Sequence, residues 1–187
     1  MVLRLTELWQ RYRVDDVNFQ DETFFTRRDR VRTMAEQIIE SEMKTTWAGT
    51  MRADQGVRLP DDVWALCKES GLRRLLVGVE SGSDEMLKRI RKDIRIEQVY
   101  DTVRKMREHG IAGNFPFIVG FPDESDDSIR ATLACAKRLR AMSPDFETPI
   151  FYFKPYPGSE IVTEAVAQGL RLPDTLEEWS EFDYVDG

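Results

Sequence analysis

The sequence predicts an α/β fold, a partial (βα) barrel of TIM type with parallel strands. Extended apolar runs alternate with amphipathic helical patterns at roughly 30 residues per unit, which is the βαβ pattern of a parallel sheet. Polar or acidic residues follow each predicted strand. A doubly wound open sheet would also fit the alternation. The polar strand ends favour a barrel, because barrel sites collect residues from many strands.

Composition excludes several classes of function. The chain has 187 residues, a net charge of −7 and a pI near 4.9, which argues against nucleic-acid binding. No apolar stretch reaches the length of about 18 residues that a membrane span needs. Charges at Arg4 and Glu7 argue against a signal peptide. The two cysteines, Cys67 and Cys135, form no C-x-x-C pair, so we expect a cytoplasmic protein without disulfides.

Apolar periodicity justifies the elements of the first part of the chain. Residues 2–12 and 31–39 repeat apolar side chains at i, i+3 and i+4, which predicts two helices. Between and after them, the extended runs at residues 14–19 and 45–51 predict strands. Pro60 opens the next helix, because its missing N–H is unpaired in a first turn anyway.

The rest of the chain continues the same alternation. Strands are predicted over residues 72–80, 111–121 and 146–153, the middle one with the near-continuous apolar run FIVGF of a strand covered on both faces. Ser83 and Ser125 have the side chains and positions of helix N-caps. Gly110 and Gly169 end the helices that follow the third strand and the fifth strand.

Acidic residues at two strand ends are candidate ligand contacts. Asp21 and Glu22 close the first strand, where a carboxylate can accept hydrogen bonds from an ammonium group or a ribose hydroxyl. The alternative is a cap for the helix that follows. Glu80 ends a buried strand and must be paired there, since an isolated buried charge is very costly. Its partner is either a ligand or Arg52 on the neighbouring strand.

Two further strand ends suit a flat ligand. Gly120 lies inside FIVGFPDES, and a glycine within a strand often marks the close approach of a ligand or of another backbone. The backbone around it can pair with the edge of a base, although a bend in the barrel is the alternative. Tyr156, in KPYPGSE, can stack on a flat ligand. His109, Cys67 and Cys135 are interpreted as structural.

Four segments together resemble one enzyme superfamily. VNFQDETFF, GVESGSDEMLKRI, FIVGFPDES and FYFKPYPGSE, in this order and spacing, resemble the radical S-adenosylmethionine superfamily. Within it they are similar to the cobalamin-dependent branch with the magnesium-protoporphyrin ester oxidative cyclases, as is TLEEWSEFDY near the C-terminus. The resemblance implies S-adenosylmethionine, a [4Fe–4S] cluster and cobalamin as cofactors of an Fe–S oxidoreductase or methyltransferase. In such an enzyme, an electron from the cluster cleaves S-adenosylmethionine to methionine and a deoxyadenosyl radical, and this radical abstracts a hydrogen atom from the substrate.

The resemblance also assigns roles to the strand ends. Asp21 and Glu22 match the residues that hold the methionyl amine, and Glu80 and Ser81 match a position at the ribose or methionyl end. Arg52 is implied as a contact for the methionine carboxylate or the substrate.

For the adenine, the resemblance implies the backbone of Val119, Gly120 and Phe121, with Tyr156 flanking the base. Asp123 departs from the family pattern, which has a glycine at this position.

The main departure concerns the cluster. The family binds its iron through a C-x-x-x-C-x-x-C loop, and this sequence has only two separate cysteines. We therefore expect a truncated fragment that is inactive alone, with strands two to six of the barrel in residues 1–170 and a C-terminal extension in 171–187. Its parent would act on a small-molecule substrate, and the fragment would be able to self-associate through an exposed sheet edge. The alternatives are a degenerate, non-catalytic binding module, or another barrel enzyme such as a lyase that uses Glu80 and Asp21.

Overall fold

A computed structural model describes residues 2–181. The helices, apart from one 3₁₀ turn at Phe24–Thr26, are α1 (Val2–Tyr12), α2 (Arg28–Glu40), α3 (Ala53–Arg58), α4 (Asp61–Glu69), α5 (Asp84–Arg89), α6 (Ile96–Glu108), α7 (Asp126–Arg140), α8 (Glu160–Ala167) and α9 (Leu176–Glu181). The strands are β1 (Asp16–Asn18), β2 (Thr46–Met51), β3 (Leu72–Val77), β4 (Ala112–Asn114), β5 (Phe117–Val119), β6 (Phe146–Glu147) and β7 (Ile150–Tyr152).

The strands form a parallel sheet, as predicted. Five of them pair in the order β1-β2-β3-β4-β6, and β5 pairs with β7 in a separate two-stranded ladder. Two predicted strands are each divided at a proline, Pro116 between β4 and β5 and Pro149 between β6 and β7. A proline has no N–H to donate to a ladder, which explains the breaks. The Phe117 N–H still donates to the Pro149 carbonyl at 2.9 Å, so the two halves remain aligned.

The hydrophobic core lies between the sheet and the helices. Trp47, Leu75 and Val77 point from β2 and β3 into it and are fully buried. The opposite, concave face carries polar side chains of the larger sheet, such as Arg74 and Asn114, and apolar side chains of the second ladder, such as the exposed Phe151. Within residues 2–181 the sheet does not close, so the fold is the predicted partial barrel.

Helix boundaries follow local chemistry closely. The Ser83 hydroxyl accepts from the Met86 N–H at 3.3 Å and the Ser125 hydroxyl accepts from the Ser128 N–H at 3.2 Å, which confirms both predicted caps. Pro60 stands immediately before α4, as expected. Two short helices were not predicted: α3, directly after β2, and α9, near the C-terminus.

Three further expectations concern the C-terminal extension, self-association through a sheet edge and the absence of a membrane span. The predicted extension over 171–187 contains α9, and its last residues, 182–187, lie outside the described residues. Strand β1 is one edge of the larger sheet, and self-association through an exposed edge stays a prediction. Among the described helices, none is both long enough and apolar enough to cross a membrane.

Candidate functional site

The carboxyl ends of the strands surround two depressions on the concave face. One has a volume of about 600 Å³ and a mainly apolar lining rich in aromatic side chains, with Glu80 as its acidic residue; we call it the aromatic depression. Its walls include Phe121, Phe151 and Tyr156. The other, of about 340 Å³, is polar and carries Asp21 and Glu22. Of the nine predicted site residues, five therefore line one or other depression.

Glu80 occupies an unusual backbone position at the end of the third strand. Its φ of +68° lies in the left-handed region that L residues rarely adopt, and such strain often accompanies functional sites. Its carboxylate folds over Gly78, so close that a side chain at residue 78 would collide with it. Lys92 donates to Glu80 Oε1 at 2.7 Å. The prediction that Arg52 pairs with Glu80 is therefore wrong.

Arg52 acts on the loop that carries Lys92. Its guanidinium donates to Asp54 at 3.0 Å, to the Lys92 carbonyl at 3.0 Å and to the Asp93 carbonyl at 3.4 Å. Arg52 thus holds the backbone on which Lys92 is mounted. Sequence reasoning missed Lys92, because it follows Glu80 by a full helix and only the fold brings the two side chains together.

Ser81 faces away from both depressions. Its side chain is fully buried, lies 3.1 Å from the Thr132 hydroxyl of α7 and accepts from the Ser83 N–H at 3.1 Å. The Gly82 N–H also donates to Thr132, at 2.9 Å. Ser81 therefore anchors the turn after β3 to α7. The structure does not bring its side chain to the site, in contrast to the expectation from the sequence.

The loop after β5 is organised by Glu124. Its carboxylate accepts from the N–H groups of Gly120 at 2.7 Å and Phe121 at 3.2 Å, and the Ser128 hydroxyl donates to it at 2.8 Å. The Val119 carbonyl accepts from the Phe153 N–H at 2.8 Å. Much of the backbone that was expected to meet a base is thus already engaged within the protein. The Phe121 side chain, by contrast, lines the aromatic depression.

The backbone conformation at residue 123 explains why aspartate can stand there in place of the glycine of the family pattern. Its φ is +57°, in the region where glycine is favoured and where asparagine and aspartate are tolerated better than other residues. Its carboxylate accepts from Arg89 at 3.4 Å and from Gln168 at 3.3 Å. The position thus explains both the usual glycine and its replacement.

The acid pair after β1 is open to solvent. Asp21 lies 3.7 Å from Arg30, and the Thr50 hydroxyl donates to the Asp21 carbonyl. Glu22 forms no ion pair with any residue that the structure describes. Both carboxylates are free enough to receive an ammonium group. A helix-capping role, the other possibility, is not seen, because α2 begins at Arg28 without a side-chain cap.

The two cysteines do not fit an iron–sulfur cluster. Cys67 lies on α4 and Cys135 on α7, both buried and unpaired. Burial raises the pKa of the Cys67 thiol to about 12 and also raises that of Cys135, which disfavours the thiolate form that binds iron. In residues 2–181 no group of three His, Cys, Asp or Glu side chains is arranged to hold a metal ion.

The fold places the chain in the class of parallel α/β barrels, whose sites lie at the carboxyl ends of the strands. The comparison with protein families is specific: the Radical SAM superfamily matches residues 1–136, well over half of the chain. The chain therefore belongs to the radical S-adenosylmethionine superfamily, as the sequence indicated.

The curated relatives of the chain include a methyltransferase and a porphyrin ester cyclase. It is 27% identical over 185 residues to an uncharacterized methyltransferase of Pyrococcus horikoshii, covering 99% of this chain and 39% of that protein. It is 30% identical over 110 residues to the anaerobic magnesium-protoporphyrin IX monomethyl ester cyclase of Synechocystis, covering 59% of this chain and 21% of the cyclase. The chain thus spans well under half of the length of these relatives.

A solved structure supports the fold. The radical S-adenosylmethionine methyltransferase TsrM from Kitasatospora setae, solved with cobalamin and a [4Fe–4S] cluster bound, matches with a TM-score of 0.71. The sequences are 17% identical, and the match covers 92% of this chain and 32% of TsrM. At this identity the likeness concerns the fold.

Proposed function

We propose that the concave face binds S-adenosylmethionine and that this chain is the cofactor-holding part of a cobalamin-dependent radical enzyme. The observation that carries the proposal is the Glu80–Lys92 pair at the aromatic depression. A carboxylate and an ammonium group side by side match the ribose hydroxyls and the carboxylate of this cofactor. Aromatic walls beside them suit its adenine.

The other polar groups complete the assignment. Asp21 and Glu22 are available to the methionyl ammonium, because they are exposed and carry at most one long ion pair. Phe121 and Tyr156 flank the base, Phe121 as a nearly buried wall and Tyr156 as an exposed ring at the mouth. Arg52 acts indirectly, by holding the loop that presents Lys92.

Bound S-adenosylmethionine supplies radical chemistry in this superfamily, and the residues of this chain orient it and shield it on one side. Cys67 and Cys135 cannot hold the cluster, so a cluster that serves this site takes its ligands from outside the 187 residues. No step of the reaction is therefore assigned to this chain by itself, and we expect it to be inactive alone.

Calorimetric titration of the chain with S-adenosylhomocysteine tests the proposal. Glu80→Gln keeps the shape of the side chain and removes its charge, so affinity should fall about tenfold, the worth of a hydrogen bond to a charged group. Lys92→Met should weaken binding to a similar extent. Glu97→Gln, an exposed change on the outer helix α6, is the matched control and should bind as the unaltered chain does.

If the unaltered chain binds no S-adenosylhomocysteine, or if Glu80→Gln and Glu97→Gln bind equally well, the proposed site is wrong. Circular dichroism of each variant separates lost binding from lost folding.

A second function is favoured by the buried cysteines: a barrel that binds a ligand without radical chemistry. Anaerobic reconstitution with iron and sulfide separates the two. A stable four-iron cluster formed by this chain alone would contradict our assignment of the cysteines. Binding of S-adenosylhomocysteine, together with failure of any cluster-bearing partner segment to support cleavage of S-adenosylmethionine, would favour the binding module.

A further inference from the structure

Two consecutive arginines reach across the concave face in opposite directions. The register of β2 and β3 shifts at Trp47, so that Arg73 is an extra residue opposite it and Arg74 resumes the pairing. Arg73 pairs with Asp16 of β1, and Arg74 pairs with Glu147 of β6. Each partner lies two strands away from β3, so both side chains cross the floor of the polar depression.

The two ion pairs differ in how completely they are satisfied. Arg73 binds both oxygens of Asp16, at 2.6 and 2.5 Å, and Thr46 adds a hydrogen bond of 2.7 Å. The hydrogen bond from Arg73 is the main reason that the pKa of Asp16 falls to about 2. Both carboxylate oxygens of Asp16 are therefore hydrogen-bonded within the protein, and we interpret this ion pair as structural.

The ion pair of Arg74 involves fewer hydrogen bonds. A single guanidinium nitrogen pairs with a single oxygen of Glu147, and the Asn114 amide reaches the same oxygen only at 3.4 Å. The Glu147 side chain is 59% exposed, whereas that of Arg74 is 35% exposed. Arg74 and Asn114 both line the depression that carries Asp21 and Glu22, and Glu147 does not. The donors therefore belong to the depression, while their acceptor reaches in from its edge.

We infer that Arg74, assisted by Asn114, binds an anionic oxygen-bearing group of the substrate, a carboxylate or a phosphoryl group. Glu147 holds the guanidinium while the substrate is absent and turns out to solvent when the anion arrives. A planar guanidinium binds such groups through two parallel hydrogen bonds, which improves on its single contact with Glu147. The inference rests on the proposed function, because it sets the substrate beside the cofactor acids Asp21 and Glu22.

The test titrates the 187-residue chain with acetate and, separately, with methylphosphonate, and follows the side-chain amide signals of Asn114 by NMR. Glu147→Gln releases Arg74 and should tighten binding of one of the two anions several-fold. Arg74→Gln should abolish binding of the anion. Arg74→Lys keeps the positive charge but cannot form two parallel hydrogen bonds, so it should retain only weak binding. Arg104→Gln, an exposed change on the outer helix α6, is the matched control and should bind as the unaltered chain does. Whichever anion binds more tightly identifies the group.

A purely structural role predicts a different pattern. In that case Glu147→Gln and Arg74→Gln both lower thermal stability and neither changes anion affinity, which overturns the inference. Affinity for S-adenosylhomocysteine is measured in parallel and should change by less than about twofold, because the two contacts are separate. If the unaltered chain binds S-adenosylhomocysteine but neither anion, this inference alone is rejected. The reverse result rejects the proposed function and leaves the anion site.

Discussion

Lys92 Nζ lies 2.7 Å from Glu80 Oε1 and joins the end of the third strand to the loop before α6. The backbone of Glu80 is left-handed, and the loop of Lys92 is held by Arg52 through two carbonyl groups. The carboxylate is therefore fixed from both sides before any ligand arrives. Such preorganisation reduces the entropic cost of binding.

We expect the Glu80–Lys92 pair to contribute modestly to stability. The two side chains are 21% and 24% exposed, so Lys92→Met should lower the free energy of unfolding by about 1 kcal/mol, the upper range for partly exposed pairs. Urea denaturation measures the change. Arg4→Met, which removes an exposed pair with Glu7, is the control and should have little effect. Equal effects of the two substitutions would show that the Glu80–Lys92 pair stabilises the protein no more than an exposed ion pair does.

Ser81 should matter for folding and leave ligand binding unchanged. Its buried hydroxyl interacts with Thr132 and Ser83, so Ser81→Ala strands a buried hydrogen-bonding group and should cost about 1–3 kcal/mol of stability. Affinity for S-adenosylhomocysteine should be unchanged in the folded protein. A variant of normal stability but weakened affinity would restore the role that the sequence suggested.

Asp16 should make stability depend on acid pH. Its pKa is lowered from 3.8 to about 2 in the folded protein, chiefly by Arg73. A depressed folded pKa stabilises the protein above pH 3.8, and this contribution is lost as the pH falls toward 2. The pair is partly exposed, so it is worth at most about 1 kcal/mol. The urea midpoint of Asp16→Asn should accordingly fall less between pH 5 and pH 3 than that of the unaltered chain, and parallel curves would refute the assignment.

Asp123 offers a test of backbone strain. Because its φ is +57°, Asp123→Gly should be neutral or slightly stabilising despite the lost contact with Arg89. Asp123→Val, with a branched side chain in the same conformation, should cost about 1–2 kcal/mol. Thermal unfolding of both variants supplies the comparison. A valine variant as stable as the glycine variant would show that the loop relaxes freely.

Gly82 marks a close approach of two backbones. A Cβ at this residue would lie 2.4 Å from the Ala131 carbonyl oxygen of α7, and backbone cannot move aside as a flexible side chain can. Gly82→Ala should therefore destabilise the protein by about 1–3 kcal/mol. Gly49→Ala is the control, since its nearest neighbour would be Phe24 at 3.7 Å, an ordinary contact. Similar melting temperatures for the two variants would argue against tight packing of the turn on α7.

Periodicity and capping chemistry were sufficient to predict most of the fold. The caps at Ser83 and Ser125 rest on local hydrogen bonds, and the strand over β3 rests on a long apolar run, so both are visible in a short window of sequence. Helix α3 was missed because it has six residues and includes Gly56, a poor helix former. Its stability comes from packing on α6, which no local pattern reports.

The site was less predictable, because its partners are set by the fold. Glu80 was found from its position after an apolar strand, but the choice of Lys92 over Arg52 depends on the path of the loop before α6. The direction of Ser81 depends on the left-handed turn at Glu80. Glu124, which takes up the N–H groups of Gly120 and Phe121, is likewise a tertiary effect.

Pro116 and Pro149 lie on neighbouring segments of the chain, which are joined by a hydrogen bond from the Phe117 N–H to the Pro149 carbonyl. After the two prolines, β5 and β7 pair with each other in a separate ladder, whereas β4 and β6, before the prolines, belong to the five-stranded sheet. The Ile118 N–H also donates to the Glu80 carbonyl at 2.7 Å, so the ladder that carries Phe151 is joined to the main sheet at Glu80 itself. The residue whose carboxylate faces the aromatic depression is therefore also the residue whose backbone links the two ladders.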